Sequence, residues 1–70
     1  MLFPEALHLL KHGAKIRRQI WPRGVYLFLY NPPMQGAKPL IVAHHNHHLD
    51  YDYRASSSDM LGHDWEEALE

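Results

Sequence analysis

The spacing of apolar residues at the start of the chain predicts an amphipathic helix. Within residues 3–12, apolar positions recur three and four apart and form one broad stripe. Pro4 and Glu5 suit the first turn of a helix, and Gly13 suits its end. A helix of only about ten residues is marginal in water, so the stripe must pack on another part of the chain.

The pattern after Gly13 favours short strands over further helices. Residues 14–21, 25–30, 40–44 and 49–54 are rich in strand-forming residues, and Pro, Gly and Asn separate them. The run 25–30 is apolar on both faces, with three aromatic side chains on one of them: Tyr26, Phe28 and Tyr30. We expect the helix to cover the aliphatic face and a ligand or a second subunit to cover the aromatic one.

The C-terminal part of the chain begins with three serines and an aspartate, at positions 56–59, followed by Met60 and Leu61. This order predicts a short helix capped by a serine hydroxyl, with Gly62 in a left-handed conformation at its end. Serine hydroxyls and free N–H groups also suit a phosphate or a ribose, although an ordinary cap explains the same pattern. Residues 64–69 fit either a short strand or a helical tail.

These elements predict an α+β fold, in which an N-terminal helix packs on a small antiparallel sheet and a short capped helix lies near the C-terminus. We expect one ligand-binding domain, residues 1–70. A chain of this length buries only about 60% of the surface that it exposes when unfolded. Because there is no cysteine for disulfides, the aromatic content favours a homo-oligomer as the source of extra stability.

Charge and hydropathy exclude several classes of partner. A formal net charge of −1 argues against duplex nucleic acid, whose binding depends on many cationic contacts to phosphate. No apolar run approaches the roughly 20 residues that a membrane span needs, and the first residues do not resemble a secretory signal. We therefore expect a cytoplasmic protein that has no membrane partner.

Two clusters carry candidate chemistry. Histidines at positions 44, 45, 47 and 48, followed by Asp50 and Asp52, offer ligands for zinc, nickel or copper. Neighbouring residues of a strand point to opposite faces, so the spacing favours a solvated histidine-rich turn over a dedicated metal site. Arginines 17, 18 and 23 surround Trp21. This arrangement suits the binding of a nucleotide, and it also suits an ordinary strand edge on which one tryptophan anchors the core.

Motifs of hydrolytic enzymes and phosphate-cradling glycine loops are absent from the sequence.

Four segments together resemble a small family of phage and prophage proteins, the Thoeris anti-defence sponges. The segments are Phe3-x-Glu5-Ala6-Leu7, Lys11-x-Gly13-x-Lys15-Ile16-x-Arg18-x-x-Trp21, Tyr26-Leu27-Phe28-Leu29, and Ser56-x-x-Asp59-Met60-Leu61-x-x-Asp64-Trp65. The resemblance spans nearly the whole chain. The last block is the most specific of the four.

The resemblance implies a protein without catalytic activity or cofactor in the cytoplasm of a host bacterium. Such proteins bind cyclic ADP-ribose isomers made by a TIR-domain immune enzyme, and similar proteins take cyclic oligonucleotides. Holding the signal keeps the downstream effector silent. The resemblance further implies a homo-oligomer, typically a tetramer built from dimers, with ligand pockets at subunit interfaces.

Matching positions suggest which residues bind the ligand. Trp21 would stack on adenine, and Arg18 matches the basic position before it. Ser57 and Asp59 match the polar residues that would meet ribose hydroxyls or phosphate. Further wall candidates are two aromatic residues of the second strand, Tyr26 and Phe28.

The sequence departs from the family pattern where ligand selectivity could be set. The segment 31–39 is short, the hairpin at 44–48 is unusually rich in histidine, and Tyr53-Arg54 stand where a tryptophan is often found. The alternative function is a histidine-based metal-binding or structural oligomeric module without a nucleotide ligand. A single-stranded nucleic-acid binder that uses Trp21 and the arginines is a third possibility.

Overall fold

The computed structural model describes residues 1–46 and 48–69 and has an α+β fold. It contains two helices and five strands: α1 (Phe3–Lys11), β1 (Ile16–Arg18), β2 (Tyr26–Tyr30), β3 (Leu40–His45), β4 (His48–Asp52), α2 (Ser57–Met60) and β5 (Trp65–Glu67). The five strands form one sheet in the order β4-β3-β2-β1-β5, and all neighbours are antiparallel. The predicted helix, sheet and capped turn are therefore confirmed. His47, part of the predicted histidine turn, lies outside the described residues.

The N-terminal helix α1 covers one face of the sheet. Its buried residues, Ala6 and Leu10, meet Ile16 of β1 and Leu27 of β2 in the core. The carboxylate of Glu5 accepts a hydrogen bond from the Leu2 N–H at 3.0 Å and so satisfies a free donor of the first turn. The expectation that the aliphatic face of β2 lies under the helix is confirmed.

The end of α1 follows its sequence signal. Gly13 has a φ of 97° and donates its N–H to the carbonyl of Leu10 at 3.0 Å. A left-handed φ of this kind costs glycine little because it has no Cβ atom. The chain therefore leaves the helix at the residue that the sequence predicts.

Strand β1 is shorter than the predicted run 14–21, because the chain turns directly after Arg18. The N–H of Trp21 donates to the carbonyl of Arg18 at 3.0 Å, and the N–H of Gln19 donates to the carbonyl of Asp64 at 3.0 Å. These bonds tie the turn to the residue before β5. The turn carries Trp21 to the side of the sheet that α1 covers, where it packs against the core.

The C-terminal residues form a strand, which settles the choice between strand and helical tail. In β5, Trp65 pairs with Arg18 and Glu67 pairs with Ile16. The side chain of Trp65 is 1% exposed and contacts Phe3, with 5.2 Å between ring centroids. The two ends of the chain thus meet across the core.

The predicted role of Gly62 is wrong. Gly62 is not among the described residues with a positive φ, so no left-handed turn ends α2 there. Its glycine character has another reason, because a Cβ atom at this position would lie 2.8 Å from Nη2 of Arg18. The missing side chain makes room for the guanidinium group.

No helix in the described ranges combines the length and the apolar character that crossing a bilayer requires.

Candidate functional site

A cluster of charged side chains fixes α2 against the β1–β5 end of the sheet. The side chain of Arg18 is buried, and its Nε donates to Oδ1 of Asp64 at 2.9 Å. Its Nη1 donates to Oδ1 of Asp59 at 3.1 Å. Tyr53 completes the group by donating its hydroxyl proton to Oδ2 of Asp59 at 2.6 Å. We call Arg18, Tyr53, Asp59 and Asp64 the Arg18 cluster.

The protonation states in this cluster follow from burial and hydrogen bonding. Desolvation would raise the pKa of Asp64, but hydrogen bonds from Arg18 and from main-chain N–H groups outweigh it and lower that pKa. The hydrogen bonds to Asp64 and Asp59 raise the pKa of Arg18 despite its burial. Burial and the hydrogen bond to Asp59 raise the pKa of Tyr53. At neutral pH, Asp64 is therefore a carboxylate, Arg18 a guanidinium ion and Tyr53 a neutral phenol.

Asp59 also organises the main chain of α2. Its N–H donates to Oγ of Ser56 at 3.1 Å, which makes Ser56 the helix cap that the serine run predicts. Its carbonyl accepts from Nε1 of Trp65 at 2.8 Å. Both oxygens of its carboxylate are already bonded, to Arg18 and Tyr53. A ligand group that meets this carboxylate must share it with these partners.

Beside the Arg18 cluster lies an open cleft of about 500 Å³. Its floor is apolar and includes Leu27 and Ala43, which pair across β2 and β3. Its walls are largely aromatic and are formed by Trp21, Tyr53, Tyr51 and His45. Charged residues also line it: Asp52, Arg54 and Asp59. A cleft with this lining suits a planar ring that carries polar substituents.

The rings of the cleft hold each other in place. Trp21 lies edge to face with Trp65 at 5.3 Å and with Tyr53 at 6.3 Å. On the other side, Tyr51 stacks on His45 at 5.4 Å, and 2.9 Å separates the Tyr51 hydroxyl from Nε2 of His45. Edge contacts of this kind fix the orientation of an indole ring. Trp21 is thus oriented by the core while it still lines the cleft.

The structure separates the six predicted binding residues. Trp21 and Asp59 line the cleft, and Arg18 lies behind Asp59. Ser57 is exposed in the first turn of α2 and is not one of the residues that line the cleft. The two aromatic wall candidates, Tyr26 and Phe28, lie on the opposite face of the sheet. Leu27 lies between them in the strand and faces the cleft, and neighbouring strand residues point to opposite faces.

The opposite side of the sheet carries an aromatic face, which we define as Tyr26, Phe28 and Tyr30. Tyr26 stacks on His44 at 4.8 Å, and Nζ of Lys15 lies 4.8 Å from its ring centroid. Phe28 and Tyr30 line a second depression of about 420 Å³. No helix among the described residues covers this face, since α1 packs on the core side.

Sequence reasoning missed the roles of three residues that build the cleft. No role is predicted above for Tyr51, and Tyr53 and Arg54 are named there only as a departure from the family pattern. The available signal is the departure from the family pattern at Tyr53-Arg54, just before the serine run. Only the bond between Tyr53 and Asp59, six residues apart, explains why this position belongs to the site.

Two described histidines of the hairpin, His44 and His45, make contacts on different faces of the sheet. Nδ1 of His44 lies 2.8 Å from Oδ1 of Asp50, whereas His45 turns to the other face and meets Tyr51. Among residues 1–46 and 48–69, no three histidine, aspartate or glutamate side chains are grouped to hold a metal ion. The predicted metal turn includes His47, which is not among the described residues.

One family of known proteins matches this chain. The sequence model of the Tad2-like family, described as a Thoeris anti-defense 2-like domain, matches residues 1–68. No curated protein matches the chain. The family match includes both the Arg18 cluster and the cleft beside it.

Proposed function

Because the chain belongs to the Thoeris anti-defense 2-like family, we propose that it is a sponge for an immune signal. The family supports an anti-defence role. In our proposal, the protein binds a cyclic nucleotide and holds it without chemical change. The signal is a cyclic ADP-ribose isomer or a cyclic oligonucleotide, and the site of action is the cytoplasm of the host bacterium.

The observation that carries this proposal is the aromatic cleft beside the Arg18 cluster. Its volume of about 500 Å³ lies within the range of about 300–1,000 Å³ that is typical of small-molecule sites. Two ring contacts orient Trp21, so its indole ring offers a flat surface on which a base can stack. Stacking on an aromatic side chain contributes about 1–3 kcal/mol per base in nucleic-acid complexes.

Polar groups at the same cleft suit the rest of a nucleotide. Arg54 lines it and has no ion-pair partner among the described residues, so its guanidinium group is available to a phosphate. Asp52 lines it too and can accept from ribose hydroxyls. Arg18 contributes indirectly, because it holds Asp59 and α2 in fixed positions. A wall that is ordered before binding reduces the entropy cost of holding a ligand.

We further propose that the protein is a homo-oligomer, a tetramer built from dimers, and that a second copy covers the aromatic face. Tyr30 and Leu40 remain 44% and 43% exposed on this side of the sheet. A chain of this length also gains stability when it buries apolar surface in an assembly. Because the aromatic face lies on the side of the sheet away from the cleft, this interface would stabilise the sheet rather than close the site.

A depletion experiment tests the sponge. Protein in molar excess is mixed with cyclic ADP-ribose isomers and cyclic dinucleotides, and the free ligand is measured before and after heat denaturation. We expect one ligand to disappear from solution and to return intact, with a dissociation constant near nanomolar, about −12 kcal/mol. If no ligand is depleted, the proposal fails, and a chemically altered ligand after heating would indicate an enzyme.

Two variants locate the site. Trp21→Ala should raise the dissociation constant about 5- to 150-fold, because it removes the stacking ring. Leu49→Ala is the matched control, since it shortens an apolar side chain that is 92% exposed outside the cleft, and it should bind as the unmodified protein does. An unchanged dissociation constant in a folded Trp21→Ala variant would move the site away from this cleft.

A further inference from the structure

Two histidine rings meet at the C-terminal end of α1, far in sequence from the histidine hairpin. His8 lies in the last turn and His12 caps the helix, so their side chains emerge one turn apart on the same side. Their ring centroids are 4.5 Å apart, with 52° between the ring planes. Both residues are exposed. The proposed sponge mechanism does not use this pair.

A main-chain contact prepares His12 to act as a ligand. Its Nδ1 lies 2.9 Å from the carbonyl oxygen of His8, which can only accept a hydrogen bond. The neutral ring therefore carries its proton on Nδ1 and leaves a lone pair on Nε2. Histidines that bind metal ions commonly donate their other ring N–H to a carbonyl or a carboxylate in this way, which fixes the ring.

The electrostatic surroundings also favour a cation. The carbonyl groups at the end of a helix carry a partial negative charge, and this pair lies at that end of α1. Lys11, the neighbouring cation in the sequence, is rotated by about 100° around the helix from His12. Water can reach the exposed rings and fill the remaining coordination positions of an ion.

We propose that His8 and His12 form a two-histidine chelate for a divalent transition metal of the zinc, nickel and copper group. These ions prefer imidazole nitrogen, and their bonds to it are about 2.0–2.1 Å long for zinc. Among the described hairpin histidines, His45 and His48 form a poorer chelate, because their ring centroids are 5.8 Å apart and the rings cross edge to face. Nε2 of His45 is also already engaged by the Tyr51 hydroxyl.

Imidazole nitrogen NMR tests this site directly. The ¹⁵N-labelled protein is titrated with Zn²⁺ at slightly alkaline pH, where histidine is neutral. We expect Nε2 of His12 and a ring nitrogen of His8 to shift first and together, and to saturate at one ion per chain. Shifts that begin at the hairpin histidines, or that spread evenly over all exposed rings, would overturn the proposal.

Variants provide a second measurement. His8→Ala and His12→Ala each remove one of two ligands held at fixed spacing, so each should weaken Zn²⁺ binding about 100-fold. His63→Ala removes one exposed histidine elsewhere and should leave the affinity unchanged. Both helix variants alter exposed positions and should stay folded, which circular dichroism checks. Equal affinity in His8→Ala and His63→Ala would contradict the chelate, whatever nucleotide the cleft binds.

Discussion

The two ends of the sheet are held in different ways. At the β1–β5 end, Trp65 is buried and the Arg18 cluster joins three segments of the chain. At the other end, all five residues of β4 are exposed. The contact between His44 and Asp50 also lies near the surface, with side chains 31% and 44% exposed. The cleft lies between these ends and takes one wall from each.

The two ends of the sheet therefore differ in their stability and in their freedom to adjust to a ligand. Even an exposed ion pair contributes only about 0–1 kcal/mol, so a surface contact of this kind adds little stability. Segments with few buried contacts open first. We therefore expect most of the free energy of unfolding to reside at the β1–β5 end, which orients Trp21 and Asp59. The hairpin wall, with Tyr51 and His45, is free to adjust to a ligand. Two pairs of variants test this contrast, and a third pair tests the packing at the β1–β5 end.

The largest expected effect is the loss of the buried tryptophan. Trp65→Ala should lower the free energy of unfolding by about 3–5 kcal/mol, because it leaves a cavity in the core. Leu49→Ala in β4 should change it by less than about 0.5 kcal/mol. Urea denaturation followed by circular dichroism measures both. Similar losses from the two variants would refute the contrast between the ends of the sheet.

The next effect compares two tyrosine hydroxyls at the cleft. Tyr53→Phe removes the bond to the Asp59 carboxylate and should cost about 1.5–3 kcal/mol, the usual range for a hydrogen bond to a charged group. Tyr51→Phe removes the bond to His45 from a side chain that is 49% exposed, so it should cost less. Thermal and urea unfolding of the two variants give the difference. A larger loss from Tyr51→Phe would place the firmer wall at the hairpin.

The smallest effect concerns the space that Arg18 needs. Gly62→Ala adds a Cβ atom 2.8 Å from the guanidinium group, and overpacking of this kind costs about 1–3 kcal/mol. The matched control is Leu61→Ala, at a neighbouring position that is 75% exposed. Chemical denaturation measures the loss, and NMR of the Arg18 Nε–H reports whether the group moves. An unchanged Gly62→Ala variant would mean that the cluster can shift without cost.

Much of the fold could be predicted from local patterns. The stripe in residues 3–12 predicts α1, and alternation predicts β2 and its two apolar faces. The serine run predicts the cap of α2, where Ser56 accepts from Asp59. The predicted strand 14–21 is longer than β1, because strand propensity does not reflect the turn after Arg18. That turn is stabilised by Asp64, which lies 45 residues from Gln19 in the sequence.

The candidate site could be predicted only in part. Trp21 and Asp59 both line the cleft, but their resemblance to family positions does not reveal that the Asp59 carboxylate is already bonded. Tyr26 and Phe28 share a face of β2 that is directed away from the cleft. Whether they lie on the same side of the sheet as Trp21 depends on which side α1 covers. The alternation of residues along a single strand does not show which of its two faces that is.

The sequence by itself determined the kinds of elements, their approximate limits and the membership in a family, because periodicity, capping and motif spacing are local properties. Only the tertiary structure decided what Arg18 binds, since its partners lie 41 and 46 residues away. The tertiary structure also explains Gly62, because the fold brings the guanidinium group of Arg18 to this position and leaves no room for a side chain. Contacts between distant segments depend on strand order and register, and these follow from packing of the whole chain.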